Sequence, residues 1–488
     1  MPITPDRSAF LALANEHAVV PVTMQVLADR ETAVTAYEKL VGEAPGFLLE
    51  SVEGGERWAR WSFVGWDPAF TLTARSGESS VDDPQRTLPS GDPLEVLEQL
   101  TTGLSAAQYE GLPPLHTGAV GWLAYDAVRY VEHLPGRPPD DRGLPEMVWQ
   151  FVGALAAFDR LAQRITLVRN VYVGDDPEAQ YSEAVHNLEA AAQRLGRPAG
   201  YTPRMAEPAP APPAALSTLE QEAFEDAVRR AKDYIRQGEA FQIVLSQRLE
   251  VPYELDTFAA YRALRMINPS PYLFYHRHPD VTVIGSSPEL MTRVRNGVVH
   301  SRPIAGTRPR GATPAEDELL AEELLRDPKE RAEHVMLIDL ARNDIGRVCE
   351  FGSVSVDDLM VIERYSHVMH IVSGVSGTLK PGVGPVDVLR ATFPHGTVSG
   401  APKVRAMEII DELEPVARGP YAGALGYIDF SGNIDTAICL RTIVATEGKA
   451  WVQAGAGLVA DSDPTSEYEE TMNKAAAALA ALAGAAHV

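Results

Sequence analysis

Strand-like segments succeed one another through the middle of the chain, and this order restricts the fold more than any other pattern in it. The helical stretch LEQEAFEDAVRRAKDYIRQGEA, expected to end at Gly238, is followed by the strand-like runs FQIVLSQRLEV, YLFYHR and VTVIGSS and by a hairpin at Asn296-Gly297. Neighbouring parallel strands need a crossover connection, usually a helix, whereas antiparallel strands need only a turn. We therefore predict an α+β architecture with large, mostly antiparallel β-sheets, in which a long charged helix spans about 314–342.

A change in composition divides the chain into two unequal parts. The segment RPAGYTPRMAEPAPAPPAALS is rich in proline and alanine and lacks periodic apolar residues, as linkers do. We place a linker or surface excursion at 201–217, an N-terminal region at 1–200 and a second domain at 218–488. In the N-terminal region, β-like runs such as RITLVRNVYV alternate with turns and with helical patterns such as SEAVHNLEAAAQRLG.

Charge and cysteine content exclude several classes of function. With 43 basic and 67 acidic residues, the formal net charge is −24, which would repel nucleic acids and anionic membranes and requires a local cation for any anionic substrate. The two cysteines, Cys349 and Cys439, supply neither a disulfide framework nor a paired zinc motif. The N-terminus has no signal-peptide pattern, and the alanine-rich run 475–486 is too short to span a bilayer. We expect a soluble cytoplasmic protein with no nucleic-acid or membrane partner.

Two segments carry glutamates at helical spacing. Glu330 and Glu333 lie in DPKERAEHVMLIDLARND, and Glu467 and Glu470 repeat the spacing near the C-terminus, with Lys474 one turn further on. Residues at this spacing share a helix face, so two such faces opposite each other could hold Mg²⁺, which takes a few carboxylate oxygens plus water and substrate. From spacing alone, however, this pattern more often indicates a solvated helix face, on which Glu470 and Lys474 form an ordinary ion pair.

Two further segments are compatible with an anion site and also with a purely structural role, and a third, SRPIAGTRPRG, could be a pocket wall with arginines outside it. The glycines of QAGAGLVADSDP, Gly455 and Gly457, could bring bare backbone amides to a carboxylate or could end a strand tightly. In FPHGTVSGAPK, Thr397 precedes a predicted helix start, where amides bind anions and hydroxyls act as caps. SRPIAGTRPRG by itself indicates only a turn, and a lone His370 in an apolar stretch is more often a core residue than a catalyst.

Taken together, these segments resemble the chorismate-utilising enzymes, and within them the large-subunit (component I) family of the anthranilate synthases. Several motifs occur in the family's order, namely GSSPE, PIAGT, KERAEHVMLIDLARND, GTVSGAPK, RGPYAGALGY and QAGAGLVADSDP. The resemblance covers most of residues 220–480 and, before them, mainly LLES at 48–51. It implies large antiparallel sheets packed together with helices outside.

The resemblance implies a metal-assisted substrate site. It makes Glu333 and Glu470 ligands of Mg²⁺, with Glu330 and Glu467 in or just outside the coordination sphere, and the metal binds the ring carboxylate of chorismate. The enolpyruvyl carboxylate is assigned to Arg441, Tyr421 and the amides around Gly455 and Gly457. The residues expected to contact chorismate are Gln242, Ala305, Gly306, Thr307, Tyr421, Arg441, Gly455, Ala456, Gly457 and Lys474.

The resemblance also indicates which nucleophile attacks the ring. Family members that add water have a lysine base where this chain has Gln242, and aminodeoxychorismate synthases often have a nucleophilic lysine where it has Ala305. Without either lysine, the expected nucleophile is ammonia, which gives 2-amino-2-deoxyisochorismate and then, with loss of pyruvate, anthranilate. Glu289 is the expected acid for the departing hydroxyl, His370 assists pyruvate elimination, and Thr397 orients the substrate.

Two further ligands follow from the same resemblance. Ammonia is mostly ammonium at neutral pH, so such enzymes pair with a glutamine amidotransferase that supplies it. Neither cysteine of this chain lies in a nucleophile-elbow sequence, so the amidotransferase is expected to be a separate subunit. The resemblance implies a hetero-oligomer of two large and two small chains. Tryptophan is the implied feedback inhibitor, although LLES alone is typical of a strand end and NPSPY of a turn. The residues assigned to the tryptophan site are Glu50, Ser51, Asn268, Pro269, Ser270, Pro271 and Tyr272.

The expected function is therefore that of the large subunit of an anthranilate synthase, a Mg²⁺-dependent lyase at the first committed step of tryptophan biosynthesis. The nearest alternative is an aminodeoxychorismate synthase component I, or an enzyme that stops at 2-amino-2-deoxyisochorismate. A catalytically silent tryptophan-binding scaffold is a third hypothesis. The acids Glu333 and Glu470, together with Arg441 and His370, argue against a silent scaffold.

Overall fold

Two large antiparallel sheets form the framework of the computed structural model, which describes residues 3–27, 29–51, 60–200, 211, 213–254, 256–365 and 368–487. The strands are β1 (Ile3–Thr4), β2 (Val19–Leu27), β3 (Gly46–Glu50), β4 (Trp61–Trp66), β5 (Phe70–Arg75), β6 (Glu78–Val81), β7 (Ala119–Leu123), β8 (Met147–Phe151), β9 (Ala154–Asp159), β10 (Arg164–Tyr172), β11 (Leu216–Ser217), β12 (Gln242–Pro252), β13 (Tyr272–Arg277), β14 (Thr282–Ser287), β15 (Leu290–Arg295), β16 (Val298–Ser301), β17 (Ile304–Pro309), β18 (Ser355–Arg364), β19 (Val368–Thr378), β20 (Gly400–Ala401), β21 (Ala424–Ile428), β22 (Ile434–Ile438), β23 (Thr442–Thr446) and β24 (Lys449–Leu458).

Helices cover the sheets. They are α1 (Arg7–Ala14), α2 (Ala33–Leu40), α3 (Pro93–Thr102), α4 (Pro177–Leu195), α5 (Gln221–Arg236), α6 (Thr257–Ile267), α7 (Pro314–Arg326), α8 (Pro328–Gly346), α9 (Pro385–Thr392), α10 (Lys403–Leu413) and α11 (Pro464–Gly484), with short 3₁₀ helices at Tyr125–Tyr130, Gly396–Val398 and Ala485–His487. No helix in the described ranges is both long and apolar enough to cross a bilayer.

The strand order confirms the predicted antiparallel α+β architecture. Over the described residues, the first sheet has 13 strands, in the order β1-β2-β10-β9-β4-β3-β13-β14-β23-β24-β12-β11 with β20 beside β12. The second sheet has 11 strands in the same ranges, in the order β17-β19-β16-β15-β22-β21-β7-β8-β5-β6 with β18 beside β19. Each paired strand runs antiparallel to its neighbour.

The two sheets pack face to face, and the helices lie on their outer faces. Between the sheets, Trp122 of β7 and Leu425 of β21 belong to one apolar cluster with Phe274 of β13 and Trp451 of β24. On the outer face of the first sheet, α1, α2, α4, α6 and α11 contribute to a second cluster, and α3, α8 and α9 cover the second sheet in the same way. Aromatic and aliphatic burial of this kind is the main favourable term in folding.

The proline-rich segment does not divide the chain into two cores. Strand β3 from the N-terminal region pairs with β13, and β7 pairs with β21, so residues on both sides of the segment complete each sheet. Residues 201–210 and 212 lie outside the described residues, and Leu216–Ser217 forms β11 at the edge of β12. The predicted boundary at 201–217 marks a change in composition, whereas the hydrophobic core is continuous across it.

The single helix expected over about 314–342 is two helices. Helix α7 ends at Arg326 and α8 begins at Pro328, because the carboxylate of Asp327 caps the amides of Lys329 (2.9 Å) and Glu330 (3.3 Å). Proline lacks the N–H that a continuous helix needs but fits the first turn of a new one. The prediction missed this restart because the acidic and apolar pattern continues through the break.

Candidate active site

The segments singled out by the sequence meet where β12, β17 and β24 approach α8 and α11. Gln242 opens β12, and its Nε2 donates to Oε1 of Glu333 on α8 at 3.4 Å. On the neighbouring strand β24, a Cβ added to Gly457 would lie 2.9 Å from the same Nε2. Gly457 therefore leaves room for the Gln242 side chain, which connects the strand glycines with the acidic face of α8.

Gly455 and Lys474 join β24 to α11. A Cβ on Gly455 would lie 2.8 Å from the hydroxyl of Tyr421, so glycine is needed for the ring to occupy this place. The carbonyl oxygen of Gly455 accepts from Nζ of Lys474 at 3.0 Å. Ala456 between the two glycines is fully buried on the opposite face of the strand, so only its backbone can face a substrate.

The two acidic helix faces lie close to each other. Burial raises the pKa of Glu333, and Glu330 of the same helix and Glu470 of α11 raise it further. Burial also raises the pKa of Glu467 on α11, and among its other neighbours is Lys329 of α8. Interactions that cross from one helix to the other show that the segments, although far apart in sequence, share one electrostatic environment.

Cations already balance part of this negative charge. Nζ of Lys474 lies 2.6 Å from Glu470. Arg308 of β17 binds Glu330 at 3.4 Å and also Asp327 at 3.1 Å. A Cβ on Gly306, where φ is +68°, would lie 3.1 Å from Oε2 of Glu330, so the PIAGT segment packs directly against this acid.

The donor set suits a hard cation that keeps other ligands. Within the described ranges, no three His, Cys, Asp or Glu side chains are grouped closely enough to hold a metal by themselves. Mg²⁺ is usually bound by one or two carboxylates, with water and substrate completing its shell. Glu333 and Glu470 are two carboxylates that would fit such a site, because Glu470 lies near enough to raise the pKa of Glu333 and a divalent cation would relieve that repulsion.

Glu289 is a buried acid held by a threonine. It lies between β14 and β15, is 4% exposed, and its Oε1 accepts from the Thr397 hydroxyl at 2.8 Å. Burial raises its pKa to about 8, against the smaller lowering effects of Thr397 and Lys474. The carboxyl is therefore protonated at neutral pH, as a general acid must be.

His370 is held in one tautomer by the PIAGT segment. Its Nδ1 lies 3.0 Å from the carbonyl oxygen of Gly306 and 3.1 Å from the Thr307 hydroxyl. Because a carbonyl only accepts, we assign the proton to Nδ1, which leaves Nε2 with a lone pair. Burial lowers the His370 pKa, and Arg441 lowers it further, so the neutral form is favoured. Ala305, in the same segment, is buried.

Arg441 and Tyr421 lie on adjoining backbone segments. The amide of Ala422 donates to the carbonyl of Cys439 at 3.0 Å, which brings the Tyr421 segment beside the approach to Arg441. Arg441 has a φ of +48°, in the left-handed region that non-glycine residues seldom adopt and that is often found at functional sites. Its Nη1 donates to Oδ1 of Asn268 at 3.4 Å, so NPSPY contacts a predicted substrate residue.

A cavity of about 860 Å³ lies behind this site, lined by strands of both sheets. Four of the residues assigned to tryptophan line it: Glu50, Ser51, Pro271 and Tyr272. Asn268, Pro269 and Ser270 are not part of the lining. The cavity wall also includes Pro288 and Leu290, on either side of Glu289, and Ile304, next to Ala305. The cavity and the candidate active site therefore share the same segments as a wall.

Glu50 is a structural anchor of the cavity wall. It is buried, and its carboxylate accepts from Arg160 (3.0 Å), Arg265 (2.8 Å) and Tyr261 (2.7 Å). Three donors leave it little capacity for a ligand ammonium group. The neighbouring Ser51 differs, because its buried hydroxyl has no partner among the described residues.

Sequence reasoning missed three buried residues that lie next to predicted ones. His395 places Nδ1 3.0 Å from the Thr397 hydroxyl and 3.7 Å from Glu289, and burial lowers its pKa to about 3, so it is neutral. Glu414 and Arg418, four residues apart in the segment after α10, form an ion pair beneath Tyr421. For His395, the available signal was its position two residues before Thr397 in FPHGTVSG. For Glu414 and Arg418, the segment ELEPVARG showed opposite charges four residues apart but gave no sign that the pair would be buried.

Comparisons with known proteins place these features in a family. The sequence model described as chorismate binding enzyme matches residues 45–480. Anthranilate synthase component 1 of Acetivibrio thermocellus is 46% identical over 98% of both chains. The structure of anthranilate synthase component I from Streptococcus pneumoniae matches with a TM-score of 0.77 at 35% identity, covering 93% of this chain and 99% of that one. The menaquinone-specific isochorismate synthase of Escherichia coli shares the fold, with a TM-score of 0.73 at 17% identity over 97% and 99% of the two chains.

Proposed function

The chain belongs to the chorismate-binding enzyme family, and from this premise we propose that it is the large subunit of an anthranilate synthase, which forms anthranilate and pyruvate from chorismate and ammonia. The full-length similarity to proteins named anthranilate synthase component 1 supports the proposal. The observation that carries the chemistry is the buried acid Glu289, whose pKa is raised to about 8, in a site that has Gln242 and Ala305 instead of lysines. Such a site can protonate a leaving group, but neither position 242 nor position 305 supplies a lysine as base or nucleophile.

The departure of the hydroxyl and the elimination of pyruvate each have a residue suited to them. Ammonia forms a bond to C2 of the ring while the C4–O bond breaks, and Glu289 transfers its proton to the hydroxyl, which leaves as water. The attached ammonium then loses one proton. In the second step a base removes the C2 proton and the ring–oxygen bond of the enolpyruvyl ether breaks, so the C–H electrons complete the aromatic ring and the C–O electron pair leaves on enolpyruvate. The enolpyruvate takes up one proton at its methylene carbon and becomes pyruvate. Neutral His370, with its Nε2 lone pair directed away from Gly306, is the residue suited to assist this elimination.

Magnesium is part of the proposal. Glu333 and Glu470 would hold it, with Glu330 and Glu467 beside them. Bound there, Mg²⁺ would neutralise the ring carboxylate of chorismate. Support comes from the two acidic faces, which lie close enough to raise the pKa of Glu333. A chain with a net charge of −24 needs such a cation to attract a dianion.

Partners and location complete the proposal. The designation of the relatives as component 1 supports a second component, which we propose is a glutamine amidotransferase that supplies ammonia, in an assembly of two large and two small chains. We also propose that the protein acts in the cytoplasm. Both cysteines are buried, free thiols, a state typical of reducing compartments.

Product identification tests the proposed function. The purified chain is incubated with chorismate, Mg²⁺ and an ammonium salt at pH 8–9, and the products are separated and identified by mass and fluorescence. We expect anthranilate and pyruvate in equal amounts, without a partner subunit. A 4-amino product would assign the chain to the aminodeoxychorismate synthases, an accumulating non-aromatic 2-amino compound would identify an enzyme that stops at the first step, and no turnover would favour a binding scaffold.

A lysine at position 242 should redirect part of the chemistry to water. Gln242 contacts Glu333 and lies over Gly457, so a lysine amine placed there would lie beside the acidic face and could act as a base. We expect Gln242→Lys to lose at least about tenfold in the rate of anthranilate formation and to form detectable isochorismate without ammonia. Gln242→Met is the matched control, which should lose anthranilate formation without gaining isochorismate. Absence of isochorismate from the lysine variant would show that this position alone does not set the nucleophile.

Tryptophan inhibition should depend on Ser51. We propose that tryptophan occupies the 860 Å³ cavity. The support is the buried Ser51 hydroxyl, which has no partner within the part of the chain that the structure describes, together with the wall shared with the Glu289 segment. Ser51→Phe would fill part of the cavity, so we expect the tryptophan concentration for half-inhibition to rise by about tenfold or more, equivalent to about 1.4 kcal/mol. The uninhibited rate should change little. Ser182→Phe, on the exposed face of α4, is the control, and equal inhibition of both variants would place the inhibitor elsewhere.

A further inference from the structure

Arg418 is a fully buried cation to which no substrate contact is assigned. It is 1% exposed, and its partner Glu414, at the end of α10, is 6% exposed. A charge removed from water in this way needs a partner and hydrogen bonds for all its donors. Its contacts therefore show which segments the pair holds together.

The guanidinium group binds three segments at once. Nε and Nη2 donate to the two carboxylate oxygens of Glu414 at 2.8 and 2.6 Å. Nη1 donates to the carbonyl of Val398 at 2.7 Å, and Nη2 donates to the carbonyl of Val244 at 2.7 Å. Val398 directly follows Thr397, which holds Glu289, and Val244 lies two residues after Gln242 in β12.

Glu414 extends the network to the glycine strand. Its Oε1 accepts from both the amide and the hydroxyl of Ser246 in β12, each at 2.8 Å. The Ser246 hydroxyl in turn accepts from Nε2 of Gln453 at 2.9 Å. Gln453 precedes Gly455 by two residues on β24, so the network links the two neighbouring strands that present Gln242 and the glycines.

Two tyrosine rings complete the surroundings of the pair. The guanidinium carbon of Arg418 lies 4.5 Å from the ring centroid of Tyr125 and 5.7 Å from that of Tyr421. Aromatic faces attract cations, so the position of Arg418 also fixes the Tyr421 ring, whose hydroxyl lies over Gly455.

We propose that Glu414 and Arg418 form a positioning pair that sets the Thr397 segment, the Tyr421 ring and strands β12 and β24 in register around the substrate. The inference rests on the proposed function, because the segments matter through the reaction they serve. Only a planar fork can bind a carboxylate and two carbonyl groups in this arrangement; a lysine ammonium has one nitrogen and cannot reach all of them. A misplacement of about 1 Å at catalytic groups can lower the rate by about 10²-fold.

The test removes both charges together. In the double variant Arg418→Met/Glu414→Gln no uncompensated charge remains, and replacing a buried ion pair in this way is often tolerated. The control is Arg129→Met/Asp411→Asn, which removes another largely buried ion pair (2.6 Å) that joins the 3₁₀ helix 125–130 to α10. Circular dichroism and thermal unfolding establish that each variant is folded before kinetics are measured.

We expect the double variant to lose about 30- to 100-fold in kcat, with a change in KM of less than about threefold, and the control to stay within about threefold of wild type in both. We also expect the alkaline limb of the kcat profile to shift to higher pH. The hydrogen bond from Thr397 lowers the pKa of Glu289, so a weaker hydrogen bond would raise that pKa. Two other charged or titratable groups face Glu289, namely Lys474 from α11 and His395, whose own pKa is lowered by burial and by Lys403.

A folded double variant with wild-type kcat and an unshifted pH profile would overturn the positioning role. If the double variant does not fold, Arg418→Lys provides the same test, because it keeps a cation opposite Glu414 but gives up the two carbonyl contacts; wild-type kcat there would equally overturn the proposal. Failure of the proposed function is a separate result, since it would be seen as absence of anthranilate from the wild-type chain.

Discussion

Replacing Glu289 by glutamine should lower kcat for anthranilate formation by about 10²- to 10⁴-fold while the protein remains folded. Glutamine has nearly the shape of glutamic acid and can still accept the Thr397 hydrogen bond through its amide oxygen. It has no carboxyl proton to give to the departing hydroxyl. Steady-state kinetics with chorismate and ammonium, beside an exposed control such as Glu78→Gln, would measure the effect.

The pH dependence gives a second reading of the same variant. Burial raises the Glu289 pKa to about 8, so the fraction of the acid form, and with it kcat, should fall as pH rises through about 8. Glu289→Gln should lack this fall in kcat.

The free energy of unfolding of the wild-type protein should also fall as pH rises. Because the folded-state pKa lies above the value of 4.5 for an unperturbed glutamate, protonation stabilises the fold fully below that value, and the benefit is lost as pH rises towards 8. Glu289→Gln should therefore unfold less readily than wild type above pH 8. Full activity of Glu289→Gln would remove Glu289 as the acid.

Replacing Glu470 by glutamine should abolish most Mg²⁺-dependent turnover, with a fall in kcat/KM on the order of 10²–10³-fold. The side chain is 48% exposed, so its loss should leave folding unchanged. Glutamine keeps the shape but removes the charge that would bind the cation. Glu333→Gln, on the opposing helix, should behave in the same way. Titration of activity against Mg²⁺, together with calorimetric binding of Mg²⁺ in the presence of chorismate, would measure the loss.

The neighbouring Glu469 provides the matched control. It lies on the same helix α11 and is exposed, and Glu469→Gln removes the same charge from the chain one residue away. We expect it to retain activity within about twofold of wild type, since adjacent helix residues point about 100° apart and an exposed charge interacts only weakly through water. If Glu470→Gln and Glu469→Gln show the same Mg²⁺ dependence as wild type, the cation is held by other groups.

The architecture was predictable where local patterns determine structure. Successive strand-like runs with short turns indicated antiparallel sheets, and the turn at Asn296-Gly297 has both residues at positive φ, as the sequence suggested. The helix over 177–195 and the helix before Gly238 were likewise evident from periodicity. The predicted division into two domains does not correspond to separate cores, because pairing between β3 and β13 or β7 and β21 joins residues far apart in sequence. Spacing along the chain contains no information on such pairing.

Only the site residues that lie in recognisable sequence motifs could be predicted. Glutamate spacing suggested the acidic faces, and the resemblance assigned Glu289, His370 and Arg441. Neither could show that His395 is buried against Thr397 or that Arg418 connects the Val398 and Val244 carbonyls, because those contacts depend on the packing of segments that are remote in sequence. Packing of remote segments likewise gives Glu50, which was assigned to the tryptophan site, three hydrogen-bond donors from within the protein, and no sequence pattern indicated them.

A crystal structure of the Glu289→Gln variant with Mg²⁺ and chorismate bound would most directly test whether α8 and α11 capture the substrate through a shared cation. We expect one Mg²⁺ coordinated by Glu333, Glu470 and the ring carboxylate, with the enolpyruvyl carboxylate towards Arg441. Chorismate bound with both glutamates turned into solvent, and with its ring carboxylate on other groups, would contradict it.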